Sequence, residues 1–324
     1  DRAVAWSDLS IALSKIGRED DAREALEQAM RLEPQRRKLL EAAEHHRAGR
    51  LKQAELIYRE ILQGDPTDVS ATRLLGAVAT ELGRHRLAVR LLRNALKMAP
   101  DFFGARVDLA RALIEQEQFE ECTEVLDQAI RMEPELPYPR MLLGNMLTKA
   151  GRYEEAVEAF KVALRKQPNH GGSLAGLGHV LKTIGRQEDA IGTYRECVRA
   201  FPAFGEAYWS LANLKTFRFS DDEIRTMEQH VDNDALLEET RINFNFALGK
   251  AYEDRGDYDR GFAHYDRGNA MRRMHESYDP VQTEVIHDRI IETITREFLE
   301  QHAGCGDPDH APIFIVGLPR SGST

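Results

Sequence analysis

The fold is decided by residues 137–168, which read PYPRMLLGNMLTKAGRYEEAVEAFKVALRKQP. The stretch reads as two helices that turn back on each other at Gly151. Its last residue belongs to a series of prolines that recur every 34 residues, Pro100, Pro134, Pro168 and Pro202, with Pro34 and Pro66 extending the series toward the start. A fixed period of this length is the signature of a stacked repeat.

Small and large residues alternate within this repeat. When each Pro is counted as position 32, position 20 holds Ala22, Ala54, Ala88, Cys122, Ala156 and Ala190, position 24 holds Leu26, Tyr58, Leu92, Leu126, Phe160 and Tyr194, and position 27 holds Ala29, Ile61, Ala95, Ala129, Ala163 and Cys197. Two helices of a hairpin approach closely only where one offers a small side chain opposite a large one. The pattern therefore predicts a stack of helical hairpins.

Glycine marks the turn inside most of the hairpins. Position 15 holds Gly17, Gly49, Gly83, Gly151 and Gly185. A helix that ends before a reversal of the chain needs a left-handed residue there, and glycine adopts that conformation without strain. Glu117 takes the place of glycine in the fourth unit, and we expect that turn to be made differently.

The register resembles the tetratricopeptide repeat, through Trp6, Leu75-Gly76, Leu143-Gly144 and Leu177-Gly178. The resemblance implies an all-α, right-handed helical solenoid over residues 3–216, with six full repeats and the first helix of a seventh. It also implies a groove that binds a partner protein or peptide.

In this repeat family, position 9 of the first helix faces the groove, and here it holds Arg111, Asn145, His179 and Asn213. Side chains one repeat apart could hydrogen-bond an extended peptide. A merely solvated groove wall is the alternative, and Ala43 and Ala77 interrupt the series.

The sequence predicts further helices over residues 217–303. Ser220 and Glu223 have the spacing of a capping box that begins a new helix. A hairpin of the same type follows at about 241–273. A last helix over about 280–301 carries one apolar stripe and is predicted to cap the solenoid. The Gly- and Pro-rich segment 304–311 reads as a linker between domains.

Residues 312–324 do not continue the helical repeat pattern. The run Ile313–Val316 is typical of a strand buried in a parallel sheet. The octet GLPRSGST, residues 317–324, has the spacing of a phosphate-binding loop, with Ser323 in place of the lysine. Backbone amides and a helix N-terminus bind phosphate without that lysine. Its absence argues against hydrolysis of ATP or GTP.

The octet resembles the 5'-phosphosulfate loop of sulfotransferases, and its place after the repeats resembles the bacterial tetratricopeptide-repeat sulfotransferases. The resemblance implies a truncated α/β sulfotransferase domain that starts at residue 312. The implied activity transfers a sulfuryl group from 3'-phosphoadenylyl sulfate to an acceptor hydroxyl without a metal, while the repeat groove binds the acceptor or a partner protein. The residues implied to bind the co-substrate are Gly317, Pro319, Arg320, Ser321, Gly322, Ser323 and Thr324.

By the same resemblance, Arg320 binds the phosphosulfate and Gly322 permits its close approach. The catalytic base and the residues for the 3'-phosphate are expected beyond Thr324, so residues 1–324 alone are expected to be inactive. Protein tyrosine, a carbohydrate and a small molecule all stay open as acceptors. A protein-interaction scaffold without activity is the alternative, in which the octet is an ordinary strand-to-helix turn. A nucleotide kinase is disfavoured by Ser323.

The amino-acid composition limits which classes of partner and which cellular compartment are expected. Asp and Glu total 54 against 44 Lys and Arg, so a net charge of -10 argues against nucleic acid as a partner, although a local basic site stays open. The three cysteines form no CxxC pair, which favours a reducing, cytoplasmic compartment. No apolar run approaches the roughly 20 residues needed to cross a bilayer. The cluster His302, Cys305, Asp307, Asp309 and His310 is interpreted as a polar linker and not as a zinc site.

Overall fold

The computed structural model describes residues 34–214, 216–274 and 279–305. These residues form helices, and no strand lies among them. The helices are α1 (Pro34–Arg47), α2 (Leu51–Gly64), α3 (Val69–Glu81), α4 (His85–Met98), α5 (Phe103–Glu115), α6 (Phe119–Met132), α7 (Pro137–Lys149), α8 (Tyr153–Lys166), α9 (Gly171–Thr183), α10 (Gln187–Ala200), α11 (Gly205–Ala212), α12 (Asp221–Val231), α13 (Glu238–Asp254), α14 (Tyr258–Arg273), α15 (Pro280–Thr293) and α16 (Arg296–Gln301). Trp6, the predicted strand and the predicted phosphate loop lie outside the described residues.

The hairpins close through a small residue opposite a large one. A Cβ atom added to Gly144 of α7 would lie 2.7 Å from the ring of Phe160 on α8. At Gly178 of α9 the same atom would lie 2.5 Å from the ring of Tyr194 on α10. Both rings are fully buried. The prediction of an all-helical array of paired helices with small-to-large packing is confirmed.

The turn at Glu117 corrects the sequence prediction. Glu117 has φ 56°, in the left-handed region that Gly83, Gly151 and Gly185 occupy with φ of 72°, 74° and 80°. The hydrogen bonds also match, because Gln118 N–H donates to Leu113 O at 3.0 Å as Arg84 N–H donates to Ala79 O at 2.8 Å. The expectation of a different turn was wrong, and the fourth unit makes the common turn with a strained residue.

Replacing Glu117 with glycine is expected to stabilise the array by about 0.5–1 kcal/mol. A left-handed backbone costs an L-residue about 1–2 kcal/mol, and glycine relieves this strain. Glycine also gives the unfolded chain more conformational freedom, which cancels about 0.4–1 kcal/mol of the stabilisation. Urea unfolding measures the change. The matched control is Gly151→Ala, which introduces the same strain at an open turn, with nothing within 4 Å of the added Cβ, and is expected to destabilise. An unchanged or lower stability of Glu117→Gly would contradict the account.

The second helix of each hairpin packs on the first helix of the next, and the first helices of neighbouring hairpins also contact each other. α1 contacts α3, and the same relation continues through α5, α7, α9 and α11, whereas the second helices of neighbouring repeats contact each other much less. One face of the array is therefore built from the first helices alone, and we call it the inner face. Buried apolar side chains run between the helix layers in two clusters, one from Ala42 to Val78 and one from Ala79 to Tyr252.

The seventh hairpin departs from the repeat. α11 ends at Ala212 and packs directly on α13, and α12 also packs on α13. The connection before α12 fills the core instead of a second helix, because Phe217 and Phe219 are both buried and their rings lie 4.9 Å apart, edge to face. The predicted capping box begins α12, with the Ser220 and Glu223 side chains each accepting from the other's backbone N–H. The period resumes in α13 and α14, where a Cβ on Gly249 would lie 2.6 Å from the Tyr265 ring.

The chain divides within α14, after Gly268, into two compact units, residues 34–268 and 269–305. In the second unit, the segment predicted as one helix over 280–301 is interrupted. α15 ends at Thr293, and Thr295 caps α16 by accepting from the Phe298 N–H at 3.1 Å. The apolar stripe of α15 is 44–62% exposed at Val281, Val285, Ile290 and Ile294. Its role as a cap stays a prediction.

Candidate functional site: the inner face of the array

Four predicted groove residues lie one repeat apart on consecutive first helices, at position 9 of α5, α7 and α9 and just after α11. Asn145 and Asn213 are exposed, and their amides are open to solvent. Arg111 and His179 are half-buried and contact neighbouring side chains. The series therefore alternates between anchored and open side chains.

His179 is held from two sides. Its Nε2 atom lies 3.0 Å from Ser210 Oγ on α11, and its ring lies 5.5 Å from the buried ring of Tyr194 on α10. Burial lowers the pKa of His179, while Glu206, whose Oε1 lies 3.9 Å from Nε2, opposes the shift. The imidazole is thus a neutral group with a fixed position at neutral pH.

Arg111 belongs to a group of charges on the inner face that we call the inner charge cluster, made of His46, Arg73, Glu81, Asp108 and Arg111. Arg111 lies 3.9 Å from Glu81 and 4.0 Å from Asp108. Arg73 Nε donates to Asp108 Oδ2 at 2.9 Å, and His46 Nε2 lies 3.1 Å from Glu81 Oε1. The cluster joins three successive first helices, α1, α3 and α5.

Burial dominates the electrostatics of this cluster at Asp108. It raises the pKa of that carboxyl group, although the charges of Arg73 and Arg111 oppose the shift. The Arg73 guanidinium also lies over the Phe102 ring, 5.4 Å from its centroid. A buried carboxylate held between two arginines is costly to leave with one partner missing. The cluster therefore fixes the side chains at this end of the inner face.

Sequence reasoning missed most of the inner charge cluster, although a signal was present. Arg73 and Asp108 stand 35 residues apart, and Glu115 and Lys149, whose side chains lie 3.3 Å apart, stand 34 apart. Opposite charges separated by about one repeat period meet between neighbouring first helices. A search for such pairs in the sequence would have found them.

The described side chains of the inner face offer hydrogen-bonding groups. Among the described residues, no group of three or more His, Cys, Asp or Glu is placed to hold a metal. Cys122 and Cys197 are fully buried between paired helices, and burial raises the pKa of each thiol to about 12. Both cysteines pack in the core.

The residues implied for the co-substrate, Gly317, Pro319 and Arg320 to Thr324, lie outside the described residues. The same is true of Asp307, Asp309 and His310. Within the parts of the chain that are described, none of the helices is both long and apolar enough to cross a membrane.

A lower pH is expected to destabilise the array. Burial lowers the pKa of His170, His179 and His264. The unfolded chain, with histidine pKa values of about 6.5, therefore binds more protons than the folded chain as the pH falls through that value, and stability is lost. Each histidine contributes at most about 1.4 kcal/mol per pH unit, and the contribution of His179 is smaller because its side chain is 42% exposed.

Urea unfolding at pH 7.5 and pH 5.5 measures this loss. Carboxylates also titrate toward the acid end, so the comparison that isolates the histidines is a variant with His170, His179 and His264 all replaced by Gln. Its stability should change less between the two pH values than that of the parent chain. Equal changes would show that the three histidines keep their ordinary pKa values in the fold.

Comparison with known proteins agrees with the hairpin stack. Family models described as tetratricopeptide repeat match residues 8–69, 79–146 and 138–170. The chain therefore contains tetratricopeptide repeats. Proteins built from these repeats generally bind protein partners.

Relatives and solved structures add the fold but no activity. An uncharacterized protein of Aquifex aeolicus (strain VF5) is 32% identical over 111 residues, which are 34% of this chain and 15% of that protein, so the match spans a small part of that relative's length. A tetratricopeptide repeat protein from Parabacteroides merdae ATCC 43184 matches 88% of this chain and 98% of its own, with 15% identity and a TM-score of 0.51. A thermophilic TPR protein of Thermus thermophilus matches 52% of this chain and 92% of its own, with 19% identity and a TM-score of 0.48.

Proposed function

We propose that this array of tetratricopeptide repeats is a protein-interaction scaffold whose inner face binds an extended peptide segment of a partner. The observation that carries the proposal is the placement of Asn145 and Asn213 as exposed amides at the same repeat position two repeats apart, with the anchored His179 between them. An amide can donate to a peptide carbonyl and accept from a peptide N–H.

The surroundings of these amides favour a rigid platform. His179 is already engaged with Ser210, and Arg111 with Glu81 and Asp108. Binding therefore orders few side chains, which lowers its entropic cost. The ligand that fits this row of position-9 side chains is an extended peptide. Its alternate side chains would enter the spaces between the first helices.

Selection from a random peptide library against the whole chain tests this function. Peptides that bind are then titrated by fluorescence anisotropy against the double variant Asn145→Ala/Asn213→Ala, in which we expect at least tenfold weaker binding. The matched control is Lys97→Ala on α4, an exposed second-helix residue away from the inner face, which should leave the affinity within twofold.

Two outcomes would overturn the groove as the binding surface. One is the recovery of no specific peptide from the selection. The other is a set of peptides that bind the Asn145→Ala/Asn213→Ala variant as tightly as the parent chain. Circular dichroism of the variant excludes a loss of helix as the cause of weaker binding.

We propose, as a second candidate, that the repeats serve a sulfotransferase that uses 3'-phosphoadenylyl sulfate and acts on a hydroxyl of the bound partner. The sequence of residues 313–324 supports it, with a run of β-forming residues followed by a phosphate-loop spacing that carries Arg320 within the loop and Ser323 in place of the usual lysine. The scaffold function does not depend on this candidate.

Calorimetric titration with 3'-phosphoadenosine 5'-phosphate, performed on the whole natural chain that contains residues 1–324, tests the second candidate. Binding that is lost in Arg320→Ala and retained in Arg296→Ala, an exposed arginine on α16, supports it. The absence of binding would remove the enzyme and leave the scaffold. Stabilisation by ATP instead would point to a nucleotide-utilising enzyme.

A further inference from the structure

A basic cleft lies on the second helix α4, away from the inner face. Two adjoining cavities of about 490 and 660 Å³ share Arg86, Arg90 and Gln116 in their walls. We call this site the arginine cleft and define it by His85, Arg86, Arg90, Arg93, Gln116 and Gln118. One wall is α4, and the other is the turn between α5 and α6.

The charge of the arginine cleft is local to one repeat. Arg86, Arg90 and Arg93 stand on one stripe of α4, at i, i+4 and i+7, and no carboxylate is among the lining residues of either cavity. The same three positions on α6 hold Glu120, Glu124 and Asp127. In a chain with a net charge of -10, three arginines on one stripe are a departure from the general surface.

Two of the three arginines are free to bind a ligand. Arg93 forms a bidentate pair with Glu121, with Nε–Oε1 and Nη2–Oε2 distances of 3.0 and 2.5 Å. Arg86 and Arg90 are exposed, and within the described part of the chain neither has an ion-pair or hydrogen-bond partner. The two residues stand one helical turn apart on α4 and line the same two cavities.

The cleft also holds buried polar atoms without a partner. His85 Nδ1 and Gln116 Nε2 are inaccessible in the described structure and make no hydrogen bond there. Buried polar groups are nearly always satisfied, and an unsatisfied one costs free energy. Gln116 lines both cavities together with Arg86 and Arg90. Its Nε2 is a donor without a partner, so this amide and the two arginines all favour a ligand with acceptor oxygens.

We infer that the arginine cleft binds a phosphoryl group. Guanidinium groups bind phosphate through paired, charge-assisted N–H donors. Arg86 and Arg90 together present more guanidinium donors than a carboxylate can satisfy, since a carboxylate has two oxygens in one plane and a tetrahedral phosphoryl group has three or four. The phosphoryl group can come from a phosphorylated small molecule or from a phosphorylated side chain of a protein. The inference does not depend on the inner face.

Calorimetric titration of the whole chain at low ionic strength tests the site. The probes are inorganic phosphate, AMP and a phosphoserine peptide, with the unphosphorylated peptide and acetate as comparisons. We expect at least one phosphoryl probe to bind, and to bind at least tenfold more weakly to Arg86→Ala and to Arg90→Ala. Lys52→Ala is the matched control, because Lys52 holds on α2 the position that Arg86 holds on α4, and it should change binding by less than twofold.

The comparison of probes identifies the source of the phosphoryl group. Tighter binding of AMP indicates a small molecule, and tighter binding of the phosphoserine peptide indicates a modified protein. The inference is overturned if no phosphoryl probe binds, if acetate competes equally well, or if Arg86→Ala and Arg90→Ala bind like the parent chain. Both side chains are exposed, so unchanged thermal unfolding of the variants is expected and confirms that they fold.

Discussion

Phe160→Ala is expected to lower the free energy of unfolding by about 3–5 kcal/mol, the usual cost of removing a buried phenyl ring. Phe160 is fully buried, and its ring lies against two glycines, at 2.7 Å from a Cβ built on Gly144 and 2.5 Å from one built on Gly176. Glycine cannot close the cavity left by the ring, because it has no side chain to move into it. Urea unfolding followed by circular dichroism measures the loss.

The same variant should also divide the array. In a stack of repeats each hairpin contacts only its neighbours, so a weak joint in the middle lets the two sides unfold separately. Hydrogen exchange should show lost protection in α7, α8 and α9 before α3 and α4. Leu56→Ala, which removes a 68% exposed side chain from α2, is the control and should cost less than about 0.5 kcal/mol. A loss below about 1 kcal/mol for Phe160→Ala would contradict the packing described.

Gly144→Ala is expected to destabilise the array by about 1 kcal/mol, the difference between an overpacking cost and a gain in helix propensity. The added methyl group would lie 2.7 Å from the Phe160 ring, and overpacking of a core costs about 1–3 kcal/mol. The gain of helix propensity, about 1 kcal/mol for alanine over glycine, offsets part of it. Chemical denaturation of the single variant measures the net effect.

A second substitution tests whether the clash is the cause. The fourth hairpin pairs Ala110 with Leu126 at the two equivalent positions, and both are fully buried. Gly144→Ala/Phe160→Leu copies that pair into the fifth hairpin. Its loss of stability should be smaller than the sum of the two single losses by at least about 1 kcal/mol. Additive losses would show that the glycine is needed for another reason.

Much of the fold could be predicted because the repeat shows each contact several times. The small residues at position 20 and the large ones at position 24 recur in all six repeats of the sequence, so a chance match at one position is outweighed by the others. The glycine turns could be predicted for the same reason. The seventh hairpin was harder, since Phe217 and Phe219 replace a helix there and leave no period to follow.

Two further structural features could not be predicted from the pattern of residue types. Glu117 adopts the left-handed turn because α5 and α6 pack on either side of it, and tertiary packing outweighs a local cost of about 1–2 kcal/mol. The interruption at Thr295 depends on a cap that a continuous apolar stripe conceals. At the candidate site, position 9 could be placed on the inner face, but the side chains that anchor Arg111 and His179 come from neighbouring helices and follow no motif.

The packing of the Phe160 ring limits how a repeat of this chain can be transferred into another repeat array. It occupies a socket with one glycine wall from its own hairpin and one from the next, Gly144 on α7 and Gly176 on α9. The sequence period places a module boundary at Pro168, but the socket crosses that boundary. A graft of this module into another array therefore has to carry α7, α8 and α9 together, since a cut at the proline would leave a phenyl ring without half of its socket.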